Sequence, residues 1–71
     1  MRNELKARDA YTGWFRIEHR TDKAVRITQI DTGLVEWVPL SQVDQIDEQP
    51  DGTYVIIMSK WIARTKGFCD E

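Results

Sequence analysis

The sequence predicts a mainly β domain, a β-rich α+β fold in which a small antiparallel curled sheet ends in a short helix. Three observations carry that expectation. Runs of β-branched and aromatic residues alternate with polar ones at a period of two. Short turn signals separate the runs. A single capped helical segment follows the last of them.

Residues 1–10 alternate charged and small side chains with little apolar content, which reads as a frayed tail or one helical turn ahead of a core over residues 11–68. From Trp14 to Arg20 the period is two. Phe15, Ile17 and His19 fall on one face of this first strand, and Trp14, Arg16, Glu18 and Arg20 on the other. Thr21-Asp22-Lys23 reads as a turn, and Ala24 to Ile30 as a second strand. Asp31-Thr32-Gly33 supplies a tight turn in which Gly33 can take positive φ. Leu34 to Val38 is the third strand, and connections this short predict an antiparallel meander.

Pro39 cannot donate to a ladder and ends the third strand. Pro39 to Val43 reads as one helical turn with Leu40 and Val43 facing inward. Residues 44–52 are acidic and turn-rich, closing on Pro50-Asp51-Gly52, and are expected to form a loop. Tyr54 to Met58 is the most apolar run and is expected to be a strand buried on both sides. Ser59 is placed to cap a helix over Lys60–Lys66, and Gly67 to end it. That helix would set Trp61 or Ile62 on the core, with Lys60, Arg64 and Lys66 toward water. About four strands and short helical pieces in this space fit an SH3-like or OB-like barrel, or a strongly curved sheet.

Seventy-one residues suffice for a single domain over 1–71. A chain of this length buries only about 60% of the surface its unfolded form exposes. Its core supplies roughly 3–5 kcal/mol, too thin a margin to hollow out a deep pocket, so a functional surface is the expectation. Cys69 is the only cysteine, which fits a reducing bacterial cytoplasm and precludes an internal disulfide. Cys69 is expected to be exposed and chemically unremarkable. The N-terminus carries no signal-peptide apolar region and no run is long enough to span a bilayer, so no membrane role is expected.

Charge is modest overall, −2, but unevenly placed. Residues 1–26 hold seven Lys/Arg against four acids, whereas residues 27–53 hold six acids and no base. Such asymmetry bears on partners and not on fold.

Lys23-Ala24-Val25, Val35-Glu36-Trp37-Val38-Pro39-Leu40-Ser41-Gln42-Val43, Trp61-Ile62-Ala63 and Lys66-Gly67-Phe68 together form a recognisable pattern. The chain resembles, over about residues 14–68, small uncharacterised domains of bacteriophage and prophage genomes. The resemblance implies a mobile-element origin, sometimes beside replication and recombination genes, and brings no catalytic residues with it. Leu40 departs from the pattern, which has a lysine there. Trp37, Pro39, Val43 and Trp61 read as core and corner-forming residues.

Catalysis finds no foothold. His19 lies at a strand end with no nucleophile near it in sequence, the glycines are scattered singly, and one His with one Cys cannot build a zinc site. No enzyme activity, metal or cofactor is expected. Asp44, Asp47, Glu48 and Asp51 lack the alternate spacing of a calcium-binding loop. They form instead a candidate acidic protein-docking loop. Trp14, Arg16, Arg20 and Arg26 form a candidate nucleic-acid face, because single-strand binders set aromatic rings for stacking beside cations for phosphate. Against it stands a pI of 5.3, whereas nucleic-acid-binding domains often exceed about 9. The chain therefore reads as a binding module whose first expected partner is a protein of phage or host. Single-stranded nucleic acid is the alternative. A homo-oligomer through an edge strand is a further expectation.

Overall fold

The computed structural model describes residues 10–69. Five antiparallel strands form one open, curled sheet: β1 (Ala10–Arg20), β2 (Ala24–Gln29), β3 (Val35–Pro39), β4 (Val43–Glu48) and β5 (Tyr54–Ser59). A 3-10 turn (Leu40–Gln42) joins β3 to β4, and helix α1 (Lys60–Lys66) follows β5. The strand order is β3-β2-β1-β5-β4. The expected meander is its β1–β2–β3 part, and of the architectures the sequence allows the curled sheet is the one found.

The long strand β1 belongs to both halves of the sheet. Its first part, Ala10 to Phe15, pairs with β5, and its second, Phe15 to Arg20, pairs with β2. Gly13 lies in the first part, opposite Ile56 and buried. A Cβ there would stand 2.9 Å from ring carbons of both Tyr11 and Phe15. The two aromatic rings close over the glycine, and no larger residue fits beneath them.

The inner face carries the core: Phe15, Val25, Ile27, Val38, Ile56 and Met58 are fully buried, joined by Ile62, Ala63 and Phe68. Phe68 meets Phe15 edge to face, with ring centroids 5.1 Å apart at 75°, the geometry that suits the ring quadrupoles. Helix α1 covers this face. Ser59 Oγ accepts from Ile62 N–H at 3.1 Å and donates to Gln42 Oε1 at 2.7 Å. The cap thus also ties the helix start to the 3-10 turn. Gly67 ends the helix in the left-handed region, φ 87°, as its position predicts.

Gln29 is the one buried polar side chain among the described residues. Its amide donates to Tyr11 Oη at 2.9 Å and to the Phe68 carbonyl at 3.0 Å, and accepts from Thr32 Oγ1 at 2.8 Å. Every strong hydrogen-bonding direction it needs is met, which removes the cost of burying it. One amide therefore ties β1, the β2–β3 turn and the C-terminal segment together.

Several expectations are corrected. The sheet has five strands, because residues 43–48 form β4 where a loop is expected. Ile46 packs toward the core and the β5 ladder satisfies the acidic backbone. β5 is not buried on both sides: Ile56 and Met58 are, while Val55 and Ile57 on the opposite face are half-buried. Trp37 and Trp61 are surface residues, and Ile62 takes the core position on α1. Cys69 is half-buried against the core. The first strand begins at Ala10, and the expected tail over residues 1–9 lies outside the described residues.

Candidate functional site

The β1–β2–β3 register assembles an outer face from residues far apart in sequence. Arg16 stands opposite Thr28, and Thr28 opposite Val35. Arg26 stands opposite His19 on one side and Trp37 on the other. Ile30 N–H donates to the Trp14 carbonyl at 3.0 Å, which continues the ladder to that pair. Directly opposed residues in an antiparallel pair share a face with Cβ atoms about 4.5–5.5 Å apart. The three rows Trp14–Ile30, Arg16–Thr28–Val35 and His19–Arg26–Trp37 therefore make one surface.

Its composition is unusual. Trp14 is 54% exposed and Trp37 41%, and Ile30 and Val35 are also open to solvent. These are four of the five large exposed hydrophobics among the described residues, the fifth being Trp61 on α1, 60% exposed. Scattered exposed apolar side chains are normal, but a contiguous group rimmed by charge marks an interaction surface.

A bulge in β1 decides which charges join this face. The register slips between Ile17 and His19, leaving Glu18 as the extra residue. An inserted residue reverses the alternation beyond it. His19, expected beside Phe15 and Ile17, is carried to the outer face, where its ring meets that of Trp37. Arg20, expected beside Trp14 and Arg16, falls opposite Val25, on the other side of the sheet at the strand end. The Glu18 carboxylate accepts from Thr28 Oγ1 at 2.8 Å. Of the four residues proposed from sequence for a nucleic-acid face, the fold brings together Trp14, Arg16 and Arg26 and separates Arg20.

The acidic residues are not gathered into one loop. Asp44, Asp47 and Glu48 lie on the outermost strand β4, and Asp51 lies in the β4–β5 turn. Asp44 is at a second register slip, and Asp47 stands opposite Val55 and accepts from Gln45 Nε2 at 2.6 Å. Hydrogen bonds from the Thr53 hydroxyl and backbone hold the Asp51 carboxyl below the usual carboxylate range, with a smaller contribution from Arg16. Among the described residues no three His, Cys, Asp or Glu side chains are grouped so as to hold a metal ion. None of their helices is long and apolar enough to cross a membrane.

Sequence reasoning missed Trp37, His19, Ile30 and Val35 as members of the face. The alternation Val35-Glu36-Trp37-Val38 contained the signal, since burying Val38 turns Trp37 outward. No protein-family model, curated protein or solved structure matches the chain.

Proposed function

We propose that this protein is a small non-catalytic binding module that takes single-stranded nucleic acid across the outer face of β1–β2–β3. The observation that carries the reading is the register that sets exposed Trp14 and Trp37 in one surface with Arg16 and Arg26. Base stacking on an aromatic ring contributes about 1–3 kcal/mol per base, and neighbouring guanidinium groups meet the phosphates. Two strands across and four residues along, the two tryptophans are roughly 16 Å apart on a flat sheet, a span for several nucleotides. Part of the chain's acidity lies outside the face, with Asp44, Asp47 and Glu48 on β4, two strands from β1, while Glu18 on Thr28 and Asp51 near Arg16 set two carboxylates beside the arginines themselves. The resemblance to phage-encoded domains agrees with an accessory role in replication or recombination within a bacterial host.

A protein partner is the second reading, favoured by the three exposed acids of β4 and by the prominence of tryptophan in interface hot spots. NMR titration of labelled protein with a mixed-sequence single-stranded oligonucleotide, at low and physiological salt, separates the two. Shifts centred on Trp14, Arg16, Arg26 and Trp37 that fade steeply with salt support nucleic acid. An unchanged spectrum at low salt removes that reading and directs the search to a basic protein partner.

A further inference from the structure

The two edges of the sheet are not equally protected. Gln29 N–H donates to the Leu34 carbonyl and Leu40 N–H to the Lys23 carbonyl, both at 2.8 Å. These bonds bracket the β2–β3 ladder, and antiparallel alternation between them fixes which residues bond across it. Glu36 and Val38 turn their backbone groups toward β2. Val35, Trp37 and Pro39 turn theirs to the outer edge, Pro39 offering only a carbonyl, which also opens the 3-10 turn that Pro39 caps. Among the described residues, β3 has no second neighbour in the sheet.

The opposite edge strand, β4, carries three exposed carboxylates and a bulge, the devices that discourage edge pairing. On β3 the only charge is Glu36, which points to the inner side and lies 3.9 Å from Lys66 Nζ. The outward-facing side chains, Val35 and Trp37, are exposed and apolar.

We propose that β3 pairs antiparallel with β3 of a second copy of this chain, about a two-fold axis at Trp37. In this register Trp37 faces Trp37 of the second copy, and both exchange N–H and C=O. Val35 N–H donates to the Pro39 carbonyl of the second copy, as the second bond of an oxygen whose first opens the 3-10 turn, so both free donors of the edge are used and the proline is asked for none. Glu36 then faces Val38. The neighbouring register, with Val35 opposite Trp37, would set the two Glu36 carboxylates directly against each other, which is unfavourable. The two-fold axis leaves both outer faces on the same side. The two sets of Trp14, Arg16, Arg26 and Trp37 thereby become one continuous surface, and that consequence rests on the nucleic-acid reading.

Sedimentation velocity without nucleic acid tests the pairing separately from that reading. The mass is expected to rise with concentration from one chain, 8.3 kDa, toward two. Val35→Pro removes one outward donor and no ladder bond, and is expected to remain monomeric while keeping the wild-type circular dichroism. A pair of cysteine variants in a Cys69→Ser background fixes the register. Trp37→Cys is expected to form a disulfide-linked dimer on mild oxidation, because hydrogen-bonded antiparallel partners hold Cα atoms about 5.5 Å apart. Glu36→Cys is expected not to. A wild type that stays monomeric at all concentrations overturns the proposal. So does a dimer that survives Val35→Pro in a folded protein, or cross-linking at Glu36→Cys in place of Trp37→Cys. Should Val35→Pro fail to fold, the cysteine pair decides. A dimer that ignores oligonucleotide would keep the pairing and discard the nucleic-acid reading.

Discussion

His19 meets Trp37 edge to face, with ring centroids 5.8 Å apart and 77° between the planes. The contact spans three strands through Arg26, which stands between them in the register. It exists only because Glu18 bulges out of β1 and turns His19 to the outer side. The same slip removes Arg20 from that side. The bulge is therefore the feature that selects the cations of the candidate face, as bulges elsewhere re-aim side chains beside functional sites.

That selection predicts an asymmetry among the arginines. Arg16→Ala and Arg26→Ala should each weaken oligonucleotide binding and flatten its salt dependence by about 0.7 in the log–log slope. Arg20→Ala should leave the slope unchanged. Fluorescence anisotropy across a salt series checks this, and an equal effect at Arg20 would contradict the bulge-defined face.

Adjacent residues of β1 should behave oppositely. Trp14→Ala should abolish most binding while altering stability by no more than about 0.5 kcal/mol, since its side chain is largely in water. Phe15→Ala opens a cavity beneath Phe68 at a cost of about 3–5 kcal/mol, comparable with the whole stability of a domain this small. Urea denaturation of the first variant should match wild type. The second should lack the cooperative transition altogether.

Gln29→Leu keeps the approximate volume but strips three hydrogen bonds. The Phe68 carbonyl loses its amide donor, and leaving such a buried group unsatisfied costs about 1–3 kcal/mol. A lowered urea midpoint with unchanged m-value is expected, with the C-terminal segment exchanging amide hydrogens fastest.

Gly13→Ala should be costly although alanine suits a strand better than glycine in general. The new methyl would press on Tyr11 and Phe15 at 2.9 Å, an overpacking of about 1–3 kcal/mol. A thermal melt that rises would refute the close approach of the two rings.

Burial raises the Tyr11 hydroxyl above its ordinary value of 10.0, opposed by the Gln29 hydrogen bond and assisted by Cys69 and Asp31. The folded state thus favours the neutral phenol. Its contribution to stability is complete below the unfolded value and is lost as pH rises through the folded one. Denaturant midpoints taken from pH about 8 to about 11 should fall more steeply for wild type than for Tyr11→Phe.

Much of the fold is written locally. The period-two runs of β1, β2, β3 and β5 announce themselves, Gly33 marks the meander turn, and Ser59 with Gly67 bounds the helix, because these features depend on neighbours within a few residues. So was the pairing of Trp14 with Arg16, two positions apart on one strand. What remained hidden was decided by contacts across the chain. β4 is a strand because β5 offers a ladder to a polar segment that has little strand character of its own. Glu18 is extruded where β1 has passed its β5-paired part and pairs with β2 alone, and no residue type announces that slip. Trp37 and Trp61 are exposed because Val38 and Ile62 fill the small core first. Local patterning determined the elements, and the tertiary register determined which of their side chains meet, since register is set by burial on a face the sequence cannot see.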